Sequence, residues 1–189
     1  MTLLSLFVVG VVAFDRLSPS TASEPAPNGV PVEPTAREAF ESVSELARRW
    51  QEDAELIGAR AHCRGDVIAR GGQVEWAFQF FSPATRRLAL FAADEGQVRQ
   101  IRDRLSPYVV PALSVDRWEI DSDEALDKWL REGGGYLSTR RPDAEITMRL
   151  HRSRGGHAGP VWAISGAAPN QASSLVVLID AFDGAVLDQ

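Results

Sequence analysis

Three short stretches of this 189-residue chain carry side chains with chemical potential. The string His151-Arg152-Ser153-Arg154-Gly155-Gly156-His157 places two imidazoles and two guanidiniums on a glycine-flexible loop. There His151, Arg152, Arg154 and His157 can converge on a phosphate or another acidic partner. The plainer reading of the same string is a solvated hairpin loop between a strand ending at His151 and one starting at Val161. As a zinc site it lacks a nearby third ligand, and zinc sites use three or four protein ligands. His62-Cys63 offers a thiol beside an imidazole, the components of a nucleophile and its base. Neighbours in an extended strand point to opposite faces and cannot meet, so this pair reads as a buried thiol next to a surface imidazole. Asp121, Asp123, Glu124 and Asp127 crowd one helix start. A calcium loop needs oxygen ligands at alternating positions and a mid-loop glycine, and neither pattern is complete, so capping and dipole compensation account for them.

No G-x-S-x-G, H-E-x-x-H, phosphate loop or dinucleotide fingerprint occurs in the chain. The sequence therefore gives no catalytic residue, no metal site and no cofactor site, and we read the protein as a non-enzyme. The net charge of −6 argues against a nucleic-acid partner, which selects a basic face. Only one of the 20 basic residues, Lys128, is a lysine. Cys63 is the single cysteine and can form no internal bridge. The length fits one domain, or two small ones sharing a core.

The elements that would position these residues follow from hydrophobic periodicity. Leu3 to Phe14 is an apolar run of twelve residues, about 18 Å as a helix and too short for a hydrocarbon core of roughly 30 Å. Residues 1–16 suit a signal peptide or short membrane anchor, with residues 3–14 as the membrane contact; a buried element of a cytosolic protein is the alternative. Residues 17–34 hold five prolines among Ser, Ala, Glu and Gly, and read as an extended tether. Thr35-Ala36-Arg37-Glu38 is a capping box opening a helix whose apolar face runs through Ala39, Phe40, Val43, Leu46, Ala47 and Trp50, ending near Asp53. Strands are predicted at Leu56–Cys63, Trp76–Phe80 and Arg86–Ala92, the last two joined by a turn at Ser82–Thr85. Arg99–Tyr108 reads as helical or irregular and Ala112–Ile120 as a strand. Asp121-Ser122-Asp123-Glu124 caps a second helix, which the glycines 133–135 end. Strands follow at Glu145–His151, Val161–Ser165 and Leu175–Ala181, the last so continuously apolar that it should be central. The five tryptophans read as core, with Trp118 the least certain to face inward.

The order predicts an α+β fold of two tandem helix-plus-antiparallel-sheet units, a diverged duplication, spanning 35–111 and 112–189. The carrying residues of the second unit are Gly159-Pro160-Val161-Trp162-Ala163-Ile164, Leu175-Val176-Val177-Leu178-Ile179-Asp180-Ala181 and Asp183-Gly184-Ala185-Val186-Leu187. Over residues 118–188 this unit resembles the PepSY and PepSY-like families; residues 36–98 are a fainter relative. The resemblance implies a cystatin-like fold, outside the cytoplasm or attached to a membrane, acting as a binding or inhibitory module, some members being associated with peptidases. True cystatins carry a Gln-x-Val-x-Gly loop that is absent here, which argues against direct inhibition of a cysteine protease. The function expected is an exported or membrane-tethered, periplasmic or extracytoplasmic, non-catalytic module that binds a protein partner. It would serve as an accessory subunit of an envelope or membrane complex or as a peptidase regulator. A small-molecule or metal-binding protein, or an enzyme, built on the 151–157 loop is the rival.

Overall fold

The computed structural model describes residues 33–94, 96–153, 159–169 and 174–187. The apolar run and most of the Pro-rich tether, which carry the signal, anchor and membrane-contact readings, lie outside these residues. Among the described residues no helix is long and apolar enough to cross a membrane.

Eight strands form one antiparallel sheet in the order β4-β3-β2-β1-β5-β6-β7-β8. The first half of the chain contributes α1 (Ala36–Trp50), β1 (Glu55–Arg64), the short α2 (Gly65–Arg70), β2 (Trp76–Ser82), β3 (Arg87–Asp94) and β4 (Gln97–Leu105). The second contributes α3 (Ser122–Trp129), α4 (Gly135–Arg140), β5 (Glu145–Arg152), β6 (Pro160–Ala167), β7 (Ser174–Asp180) and β8 (Val186–Leu187). Each half is thus a helical segment followed by a four-stranded meander. The halves join where β1 pairs with β5 along a seven-residue ladder from Gly58↔His151 to Arg64↔Glu145.

Most large apolar residues of the strands, at alternating positions, point to the helix-bearing face. Phe78 and Phe80 of β2 meet Phe40 of α1, and Trp162 of β6 reaches Trp76 across the centre. The core is therefore continuous between the halves. Four of the five indoles find acceptors: Trp50 Nε1 donates to Asp103 Oδ2, Trp76 Nε1 to Pro34 O, and Trp118 and Trp162 both to Ile120 O. Trp129 Nε1 is buried and unpaired, and Trp118 is fully inside after all.

The helix starts are tied to each other. Thr35 and Glu38 form the reciprocal capping box on α1. Asp121 caps α3 through Ser122 N (2.6 Å), not through a box closed by Glu124, and its carboxylate also accepts from Arg37 N of α1 (3.1 Å). Ser122 Oγ accepts from Ala36 N (2.9 Å). Two adjacent side chains thereby satisfy orphan donors at both helix N-termini.

Several predicted elements are corrected. Arg99–Tyr108, expected to be helical or irregular, instead falls largely in the edge strand β4 (Gln97–Leu105). A bulge opposite Leu90/Phe91 leaves Ile101 unpaired and breaks the polar–apolar alternation that would have marked a strand. Residues 112–120 form no strand; the chain makes single contacts, Leu113 N to Leu56 O and Glu119 N to Ala181 O, around a helical turn at Val115–Arg117. The second helix does not end at the glycines. Gly133 kinks it at φ 110°, α4 continues beyond, and the Trp129 indole fills the space a side chain at Gly134 would need. Finally, β7 is one strand from the edge rather than central. Val177 and Ile179 face the core, while Leu178 packs on the other side opposite Leu187 and Val176 stays 37% exposed. The fold is α+β as predicted; the strand expected at 112–120 is absent, and β4 and β8 give each half four strands.

Candidate functional site on the open face of the sheet

Among the described residues the helices pack on one side of the sheet, and alternation places the remaining strand residues on the other, where most are polar or half-exposed and Phe81, Ala92 and Val161 are buried. From β4 to β7 the outward residues run in cross-strand rows fixed by the register. One row is Arg99, Ala92, Ala77, Arg60, Arg149, Ala163 and Leu178; the next is Arg102, Leu90, Gln79, Gly58, His151, Val161 and Asp180. Arg64 and Arg104 complete six arginines on this face. Its acidic residues, Glu55, Asp94, Glu145 and Asp180, each begin or end a strand, leaving the centre positive on a chain whose net charge is −6.

The central pair is Arg60 and Arg149, directly opposite each other in the β1–β5 ladder, both exposed. Opposed like charges on neighbouring strands are destabilising. Arg64 is paired with Asp66 and Arg99 with Glu75, but Arg60 and Arg149 have no ion-pair partner among the described residues. Beside them a groove of about 230 Å³ opens, lined by Gly58, Arg60, Ala77, Gln79, Arg149 and His151 among others. The absence of a side chain at Gly58 and the short one at Ala77 make this depression; β1 bulges at the same place, between Leu56 and Gly58. His151 Nδ1–H donates to Arg152 O (2.8 Å), which leaves Nε2 unengaged among the described residues.

The residues singled out from sequence are only partly assembled. His151 lies on the open face at the groove. Arg152, its neighbour at the end of β5, has the opposite parity and belongs to the helix side. Arg154 and His157 lie outside the described residues. His62 is exposed, its Nδ1 3.1 Å from Thr147 Oγ1, whereas Cys63 is buried on the other side. Desolvation pushes the Cys63 thiol up to about 11, the reverse of nucleophile activation. Asp121 is spent on helix capping. Among the described residues no three His, Cys, Asp or Glu side chains gather as a metal set. A larger concavity, about 440 Å³, lies between α1 and the β3–β4 hairpin. Glu33, Glu38, Ser42 and Asp94 are among the residues that line it, and Glu38 is engaged in the capping box of α1.

Arg60 and Arg149 escaped the sequence reading because each is one polar residue in an alternating strand. Their meeting depends on the long-range pairing of β1 with β5. No family model, curated protein or solved structure matches the chain.

Proposed function

We propose that the protein is a non-catalytic interaction module that docks a protein partner on the uncovered face of its sheet. The observation that carries this reading is the asymmetry of the two faces: among the described residues one bears the helices and the main core cluster, while the other bears six arginines around a shallow groove, with Phe81, Ala92 and Val161 as its buried apolar residues. The resemblance of residues 118–188 to PepSY-like domains supports the more specific version. In that version the module is exported or tethered to a membrane through residues 3–14, and serves as an accessory subunit of an envelope complex or as a regulator of a peptidase. The recurrence of a helical segment and a four-stranded meander in each half supports descent from a duplicated unit. No cofactor and no nucleic acid enter this function.

Site-specific photo-crosslinking in the cell of origin tests it. A photoreactive residue replacing Gln79 or Thr147, both on the open face, should give a discrete protein adduct. One replacing Glu45, on the outer surface of α1, should not. Equal adduct patterns at the three positions, or none at Gln79 and Thr147, would refute the docking face.

A further inference from the structure

We propose that the β1–β5 seam takes the carboxylates of an acidic, extended segment of a protein partner, with Arg60 and Arg149 as its anchors. This rests on the docking face proposed above and specifies what that face accepts. Two opposed guanidiniums without a counter-charge among the described residues are unfavourable, and carboxylates between them convert repulsion into charge-assisted, bidentate contacts. Arginine forks match carboxylate geometry in a way a lysine ammonium does not.

The size of the groove decides between ligand classes. At about 230 Å³ it falls below the roughly 300–1,000 Å³ of sites that enclose drug-sized ligands, and suits one or two carboxylate side chains. Gln79 and the His151 Nε2 edge border it with polar groups, and Gly58 and Ala77 let an incoming chain approach the sheet closely. The wider face adds attraction at longer range: Arg102 and Arg104 of the edge strand carry no ion pair among the described residues, and the acidic groups of this face stand at strand ends. A lipid surface is a poorer match. Membrane-surface binding needs apolar groups that project into the interface, yet Leu90 and Leu178 are half-buried in the sheet. The well-exposed Leu105, Tyr108 and Val109 sit at the end of β4 and beyond it, away from the seam.

The test uses the full chain and a labelled twelve-residue peptide of alternating Glu and Thr, followed by fluorescence anisotropy. Controls are the Gln/Thr peptide and vesicles of phosphatidylglycerol. Saturable binding is expected for the Glu peptide, weakening as salt rises and falling at least tenfold in Arg60→Gln/Arg149→Gln. Arg64→Gln, whose guanidinium is already paired, should lose less than twofold. Thermal melting should show the double variant at least as stable as the parent, because repulsion is removed. The proposal is overturned if the double variant binds the Glu peptide like the parent, or if the Gln peptide binds equally well. It is also overturned if vesicles bind through the two arginines while the peptide does not. If photo-adducts at Gln79 persist undiminished in the double variant, the seam assignment fails while the docking face stands; if the face gives no adducts at all, the docking reading itself fails.

Discussion

Asp121 is the side chain on which the two helix starts depend, and removing it should cost more than an ordinary cap. Its carboxylate accepts from Ser122 N at 2.6 Å and from Arg37 N at 3.1 Å, so it serves α3 and α1 together. An N-cap is worth about 1 kcal/mol, and a charge near a helix N-terminus adds about 0.3–1 kcal/mol for each helix. Asp121→Ala should therefore destabilise by about 2–3 kcal/mol. At about 2–4 °C per kcal/mol for a chain of this size, the melting temperature drops by about 5–10 °C. Asp121→Asn keeps the carbonyl oxygen but not the charge, and should lose about 1 kcal/mol, a difference that shrinks in 1 M salt, where the Debye length is about 3 Å. Urea unfolding followed by tryptophan fluorescence reads both, since Trp118 and Trp162 donate to Ile120 O next door. A loss below about 0.5 kcal/mol for the alanine variant would refute the shared cap. Identical losses for Ala and Asn would assign the whole effect to charge and none to hydrogen bonding.

Two further outcomes follow from individual side chains. With its thiol held at about 11, Cys63 is about 0.1% thiolate at pH 8 against about a quarter for an ordinary thiol. Native protein should react with a disulfide reagent at least 100-fold more slowly than protein in denaturant, and a gap under tenfold would contradict its burial. Asp53 accepts from Ser82 Oγ and Ala84 N, both at 2.7 Å, and these bonds lower its pKa; Asp103 is lowered by Arg87, with Trp50 Nε1 also donating to it. In each case the unfolded carboxyl binds protons more readily than the folded one, so the stabilisation is present above about pH 4 and is lost as pH falls through the folded pKa. Asp53→Asn should flatten the acid limb of the stability–pH curve below about pH 4 and leave its shape near pH 7 unchanged; a curve of unchanged acid slope would count against it.

Local chemistry was legible where the sequence satisfies it locally. The Thr35/Glu38 box, the apolar stripe of α1 and the alternation in β2, β3 and β5 needed no partner to be read. The Asp183-Gly184 pair is likewise a local turn signal, and Gly184 adopts φ 74°. Failures came where distant residues decide. The β4 bulge breaks the alternation of a strand, the helix resumes past a kink that glycine spacing marks as an end, and the run 175–181 is apolar on both sides without being covered on both. The site divides in the same way. His151 stood out by residue type, while Arg60 and Arg149 acquired meaning only when the β1–β5 register placed them opposite each other.

The central claim is that the open sheet face, and not the 151–157 loop or an enclosed pocket, is the working surface. The most direct measurement is the yield of the Gln79 photo-adduct in two full-length variants. Ala77→Glu places a carboxylate beside Arg60 within the chain and should suppress the adduct at least tenfold. Alanine at Arg152, Arg154 and His157 together, with the groove residue His151 kept, should leave most of it. Suppression by the loop variant with full yield in Ala77→Glu would contradict the account.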